Sequence, residues 1–186
     1  VSLDHHDLGA LFDHHGSDKE SYHHYSPVYE GLFAGKRHEV GRVLEIGVYQ
    51  GGSLRAWKDY FPHAVIVGLD IDFSNMSYQV EDWTKERILL IQGDQTDPTD
   101  LDRAARFGPF DLIVDDGSHD ISDQLGSLLN LWSTLAPGGW YVIEDILTTA
   151  HLYTLRHFPG ARVEVLNEDT NSVLVAIQRP PTLPTL

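Results

Sequence analysis

Short apolar runs, most of them β-branched and ended by Gly, Asp or Asn, recur through the sequence and leave it few architectures. Seven are found: Arg42–Val48, Ala64–Asp70, Arg87–Gly93, Phe110–Asp116, Gly139–Asp145, Ala161–Asn167 and Ser172–Gln178. The first five are nearly continuous in Val, Ile and Leu, as strands are when both sheet faces are covered. Between them lie helix-like stretches, Ser53–Tyr60, Pro98–Phe107, Ile121–Leu135 and Leu147–Phe158. Strands alternating with helices predict an α/β fold with a parallel sheet and helices on both sides. The last two runs are joined by Glu168–Asn171, too short for a crossover, so they are expected to pair as an antiparallel hairpin.

Upstream sit two further helical candidates, Asp4–His14 and Tyr22–Phe33, split by Gly16-Ser17-Asp18-Lys19. Neither has the apolar surface of a domain, so residues 1–35 read as a helical cap, 36–180 as the main domain and 181–186 as a Pro-rich tail. A chain of 186 residues is one domain's worth and can bury a core without staples. It has no cysteine, which excludes disulfides, thiolate zinc sites and cysteine nucleophiles and fits a reducing cytoplasm. Twenty-eight acidic residues against 13 basic ones give a net charge of −15, a surface that repels nucleic acid and anionic membrane. No apolar run reaches the ~20 residues of a membrane helix, and the start shows no basic–apolar signal pattern.

Ligands of open parallel sheets bind outside the carboxyl ends of the strands, where strand order reverses. Those ends are acidic here: Glu45, Asp70 with Asp72, Asp94, Asp115-Asp116 and Glu144-Asp145. The loop after the first strand, Gly47-Val48-Tyr49-Gln50-Gly51-Gly52-Ser53, departs from a dinucleotide fingerprint because Tyr49 stands where the second glycine belongs. With Asp70 beyond it to accept ribose hydroxyls, the loop still suits a nucleoside. S-adenosylmethionine carries no pyrophosphate, and its sulfonium would be welcome among acids. The plainer reading makes Gly51 and Gly52 a tight turn and Asp70 a cap.

Asp116, Glu144 and Asp145 end adjacent strands, and a hard divalent cation would relieve their mutual repulsion. Oxygen ligands favour magnesium, with manganese or calcium as substitutes. His119, at the start of the next loop, is placed to act as a base. The alternative is that each acid merely caps a helix. The pairs His5-His6, His14-His15 and His23-His24 suggest metal, but their spacing puts successive pairs on opposite helix faces, so solvated faces are expected. Trp57, Tyr60, Phe61 and Trp132 read as core.

Together, Leu44–Leu54, Gly93-Asp94-Gln95-Thr96-Asp97, Asp115–His119, Pro137-Gly138-Gly139, Ile143-Glu144-Asp145 and the upstream Gly16-Ser17-Asp18-Lys19 resemble one family. It is the metal-dependent sugar O-methyltransferases of antibiotic biosynthesis, of the macrocin and mycinamicin type. The resemblance implies a Rossmann-like class I S-adenosylmethionine-dependent methyltransferase fold of seven strands, mostly parallel, the last antiparallel. It makes Asp116, Glu144 and Asp145 magnesium ligands and His119 the general base. Glu45, Gly47, Tyr49, Gly51, Ser53, Asp70, Asp94, Gln95 and Asp115 form the implied cofactor set, and Gly16 through Tyr25 a lid. Larger relatives have an auxiliary N-terminal domain and a longer insertion after the Glu-Asp pair. Here the final hairpin follows that pair closely, which leaves the acceptor open.

The expected reaction is methylation of a hydroxyl on a small molecule, most naturally a sugar, by an enzyme that is often a homo-oligomer in such families. Two other readings keep the fold: a catechol-type acceptor, whose vicinal oxygens chelate magnesium equally well, and a non-catalytic nucleoside-binding subunit. A metal hydrolase fits less well, since few histidines stand at the strand ends.

Overall fold

A computed structural model describes residues 7–33, 35–77, 83–146, 148–158, 162–166 and 173–181. The elements run α1 (Leu8–His15), α2 (Asp18–Ser21), α3 (Ser26–Phe33), β1 (Arg42–Ile46), α4 (Gly52–Tyr60), β2 (Val65–Asp70), α5 (Trp83–Glu86) and β3 (Ile88–Gln92). There follow α6 (Pro98–Ala105), β4 (Phe110–Asp115), α7 (Ile121–Leu131), β5 (Leu135–Ile143), α8 (Thr149–Arg156), β6 (Arg162–Leu166) and β7 (Leu174–Gln178). The strands form one sheet of order β3-β2-β1-β4-β5-β7-β6. β1 to β5 are parallel, while β7 runs antiparallel to both β5 and β6. The α/β architecture and the closing hairpin are therefore as expected. Strand order reverses between β1 and β4, which sets the binding crevice at their carboxyl ends.

The near-continuous apolar strands do face two cores. Val43, Ile66, Leu112, Val114 and Val142 join one cluster, and their neighbours Leu44, Val67, Ile113, Tyr141 and Ile143 the other. α4 brings Trp57 and Phe61 to the first, as anticipated; Tyr60 is buried beside them. Leu101 of α6 and Leu128 and Leu131 of α7 fill the second, where Trp132 packs partly buried.

The N-terminal helices contribute more to the core than their composition suggested. Leu8, Leu11, Phe12, Tyr25, Tyr29 and Phe33 are all buried in the cluster that holds Trp57. Phe12 and Tyr29 each meet the Trp57 ring edge-on, with centroids 4.9 and 4.8 Å away. Gly16-Ser17-Asp18-Lys19, read as a break, is a break with a helix inside it: Gly16 ends α1 at φ 74°, and Ser17 caps the single turn of α2.

Three further details differ from the sequence reading. The helix expected over Ile121–Leu135 stops at Leu131, and Trp132–Thr134 tighten into a 3₁₀ turn. β5 starts at Leu135, not Gly139, because Leu135 already pairs with Phe110; a register shift then absorbs Pro137-Gly138-Gly139. The solvated-face reading fails for two histidines. His15 has its side chain largely covered, with Nε2 2.9 Å from Asp59, and His23 lies with Nδ1 3.3 Å from Asp145. His5-His6, the Glu168–Asn171 turn and the tail beyond Pro181 lie outside the described residues.

Candidate active site

Two adjoining clefts open at the carboxyl edge. One, of about 490 Å³, is lined by Gly16–Lys19 on one side, by Gly47–Gln50, Gly52 and Ser53 on another, and by Asp70, Asp72 and Asp116. The second, of about 320 Å³, shares Gly47 and Asp70 and continues to Asp94, Gln95, Thr96 and Ser118. Asp70 and Gly47 are thus common to both clefts.

Gly47 shows why the first loop needs glycine. Its φ is 85°, and a Cβ there would fall 2.0 Å from the Asp116 backbone oxygen. The β1 and β4 loops therefore touch backbone to backbone. Asp70 acts on the same loop: Oδ2 accepts from the backbone N–H groups of Val48 at 2.6 Å and Tyr49 at 3.0 Å. Its capping and cofactor-binding readings are compatible, because a carboxylate has about four lone-pair positions. Gln95 ties β3 to β4, accepting from Ser118 N–H at 2.7 Å and donating to Asp115 at 3.3 Å.

The structure distributes the expected cofactor residues unevenly. Gly47, Tyr49, Ser53 and Asp70 line the first cleft, and Asp94 and Gln95 the second. Gly51 is not at the cleft surface; at φ 78° it makes the turn into α4. Glu45 and Asp115 lie fully buried beneath the clefts. Glu45 accepts from Trp57 Nε1 at 3.2 Å, and Asp115 from the Tyr141 hydroxyl at 3.0 Å. Burial pushes both carboxyls up to about 7, for Glu45 against the pull of Lys19.

The expected metal triad is divided. Asp116, His119 and Asp145 bring ligand atoms within 4.8 Å of one another. His119 Nε2 lies 3.1 Å from Asp116 Oδ1 and 3.8 Å from Asp145 Oδ2. Glu144 is 1% exposed, and its oxygens are taken by the Lys19 ammonium and the Tyr29 hydroxyl. Lys19 Nζ also contacts Asp116 Oδ2 at 2.6 Å and stands 3.4 Å from Glu45. Burial would raise Asp116, yet Lys19 and His119 outweigh it and hold its carboxyl at about 2. The bond to Asp116 in turn raises the His119 imidazole above its usual value, against the effect of burial.

This donor set fits a hard divalent cation: two carboxylates and one imidazole, partly open to solvent, bring their ligand atoms close to one another. Asp116 and Asp145 would hold it, with Glu144 behind. Sequence reasoning put Lys19 and Tyr25 in the implied lid without foreseeing their contacts with the strand-end acids, and it missed Tyr29. Tyr25 donates to Asp145 at 2.7 Å, and the His23 ring stacks on Tyr25. The signal available was Gly16–Lys19, a conspicuous motif whose lysine had no stated destination.

Residues 44–146 match the family model described as Methyltransferase domain, more than half of the chain. The chain belongs to the Methyltransferase domain family. Among curated members, it is 43% identical over 152 residues to the mycinamicin VI 2''-O-methyltransferase of Micromonospora griseorubida, a match covering 76% of this chain and 36% of that one. It is 45% identical over 136 residues to the demethylmacrocin O-methyltransferase of Streptomyces fradiae, covering 69% and 33%. The chain thus spans about a third of the length of these curated relatives. Among solved structures, the MycE methyltransferase of the mycinamycin biosynthetic pathway, in complex with Mg and SAH, superposes with a TM-score of 0.77. Identity there is 31%, over 97% of this chain and 56% of MycE. The resemblance read from the motifs is thereby upheld.

Proposed function

We propose that this chain is the catalytic domain of an S-adenosylmethionine- and magnesium-dependent O-methyltransferase, with manganese an acceptable substitute. Its substrate would be a hydroxyl of a small molecule, a sugar of a glycosylated natural product. One observation carries this reading: Asp70, suited to a nucleoside, lines the same cleft as Asp116, which in turn meets His119 and Asp145. Mycinamicin- and macrocin-type relatives of the same family support the sugar acceptor.

Bound there, the cofactor would supply the methyl group, and the cation would acidify and orient the acceptor hydroxyl. The chain's own residues do the rest. Asp70 would orient the ribose, while its present contacts fix the Val48–Tyr49 turn. Gly52 and Ser53 line the same cleft and would meet the amino-acid end of the cofactor. His119 Nε2 takes the hydroxyl proton, for which Asp116 Oδ1 must relinquish its present contact. Lys19 keeps Asp116 ionised throughout. Holding nucleophile and methyl donor in one cleft supplies much of the acceleration.

The proposal includes a cap over residues 1–35 acting on a methyltransferase domain of 36–180, a cytoplasmic place of action and self-association, the last checked by sedimentation. Among the described residues no helix is long and apolar enough to cross a membrane. The deciding experiment is calorimetric titration with S-adenosylmethionine and with NAD, each with magnesium and with EDTA. Binding of S-adenosylmethionine alone, followed by methylation of a glycoside in preference to a catechol, is the expected result. Binding of NAD instead would reject the reading.

A further inference from the structure

α2 is a single helical turn, too short to persist by its own hydrogen bonds. Something else must hold it, and its only buried side chain is Lys19. No apolar residue of this turn is packed inward, so what fastens it is charge. The ammonium reaches past the cleft wall to Asp116, Glu144 and Glu45. Two further contacts from the same N-terminal region end on the acids that follow β5, Tyr25 on Asp145 and Tyr29 on Glu144. Meanwhile the backbone from Gly16 to Lys19 forms one wall of the larger cleft. It lies so near α4 that a Cβ on Gly52 would come within 2.7 Å of the His15 carbonyl oxygen.

We propose that Lys19 is a positioning residue: its ammonium latches the Gly16–Tyr25 segment over the cofactor cleft, using Glu144 and Asp116 as the catch. The acidic residues at the ends of β4 and β5 then serve two tasks. Glu144 is spent on the latch, and the grip on cofactor depends on it even without a divalent cation. Asp116 divides its oxygens, Oδ2 to Lys19 and Oδ1 toward His119.

This inference rests on the cofactor reading above, and its test separates the two. Binding of S-adenosylhomocysteine is measured by calorimetry in EDTA for the full chain and for Lys19→Met, Glu144→Gln and the double variant. Because the chain has no cysteine, Tyr22→Cys offers a unique nitroxide site on an exposed residue of the segment. Its electron paramagnetic resonance line shape reports the segment's mobility with no ligand present. Lys19→Met is expected to weaken S-adenosylhomocysteine binding about tenfold, in the range of ordinary coupling between sites, and to sharpen the nitroxide spectrum. The double variant should bind no more weakly than Lys19→Met alone, since both substitutions open one catch. If Lys19→Met does not fold, Glu144→Gln, which keeps shape and an acceptor oxygen, decides by the same two readouts. Wild-type affinity with an unchanged, immobile spectrum in the folded variants overturns the latch. A wild-type chain that does not bind S-adenosylhomocysteine rejects the cofactor reading instead, and the ligand-free spectra of the variants still decide the latch.

Discussion

His119 and Asp145 carry their side chains on left-handed backbone, at φ 60° and 53°, a conformation that costs an L-residue about 1–2 kcal/mol. Such torsions persist where the surroundings over-determine them, and here they turn an imidazole and a carboxylate toward the same point. His119→Asn is the suitable variant, since Asn tolerates that backbone. Methyl transfer should fall at least ~100-fold, the usual scale of a lost general base, with S-adenosylhomocysteine affinity within about twofold of wild type, no cofactor contact having been removed. Retained turnover would remove His119 from its role. Gly47→Ala should be far more damaging: its Cβ meets the Asp116 carbonyl, so a loss of at least ~2 kcal/mol in chemical denaturation is expected. At this scale the sequence was legible in part. Asp70, Asp116, His119 and Asp145 could be found because acids at strand ends are topologically forced together. Glu45, Asp115 and Glu144 stand at equivalent positions but point into the protein, a distinction of side-chain direction that composition does not carry. Lys19 was unreadable as a site member because its partners lie 97 and 125 residues away.

Among the elements, the parallel strands were legible because burial on both faces removes polar positions from them, and β1 to β4 begin and end within a residue or two of their apolar runs. Termini controlled by pairing were not. Leu135 reads as the last apolar residue of a helix, yet its pairing with Phe110 makes it the first of β5. α6 shows local chemistry deciding an end: Asp97 accepts from Thr99 N–H at 2.8 Å and Pro98 follows as the first helical residue. Asp97→Ala should therefore cost about 1 kcal/mol of stability. It should leave S-adenosylhomocysteine affinity within about twofold in calorimetry, because the Asp97 side chain lines neither cleft. A large loss of affinity would mean that α6 supports the cofactor site more directly than its contacts indicate.

The molecule as a whole is acidic, so lowering pH relieves repulsion, and any group opposing that trend stands out by comparison. His15 is such a group. Burial holds its pKa below the ordinary imidazole value, even with Asp59 beside it. The unfolded chain then takes up the proton first, at about 6.5. His15 therefore contributes full stability above that pH and progressively less as pH falls below it toward the lower folded value. The difference in melting temperature between wild type and His15→Gln should thus shift against wild type from pH 8 to pH 5.5; parallel curves would contradict this. The latch has a consequence of another kind, for the order of assembly. A lysine that precedes its partners in the chain can discard its water only when Asp116 and Glu144 have arrived, after β4 and β5 have joined the sheet. Contacts that close so long a loop form late. A segment that precedes the whole sheet in the chain should be among the last to become protected, with pulse-labelled amide exchange of Ser17–Tyr25 slowing only after that of β1 to β5. A nascent chain would then leave its cofactor cleft open until the fold beneath it is complete.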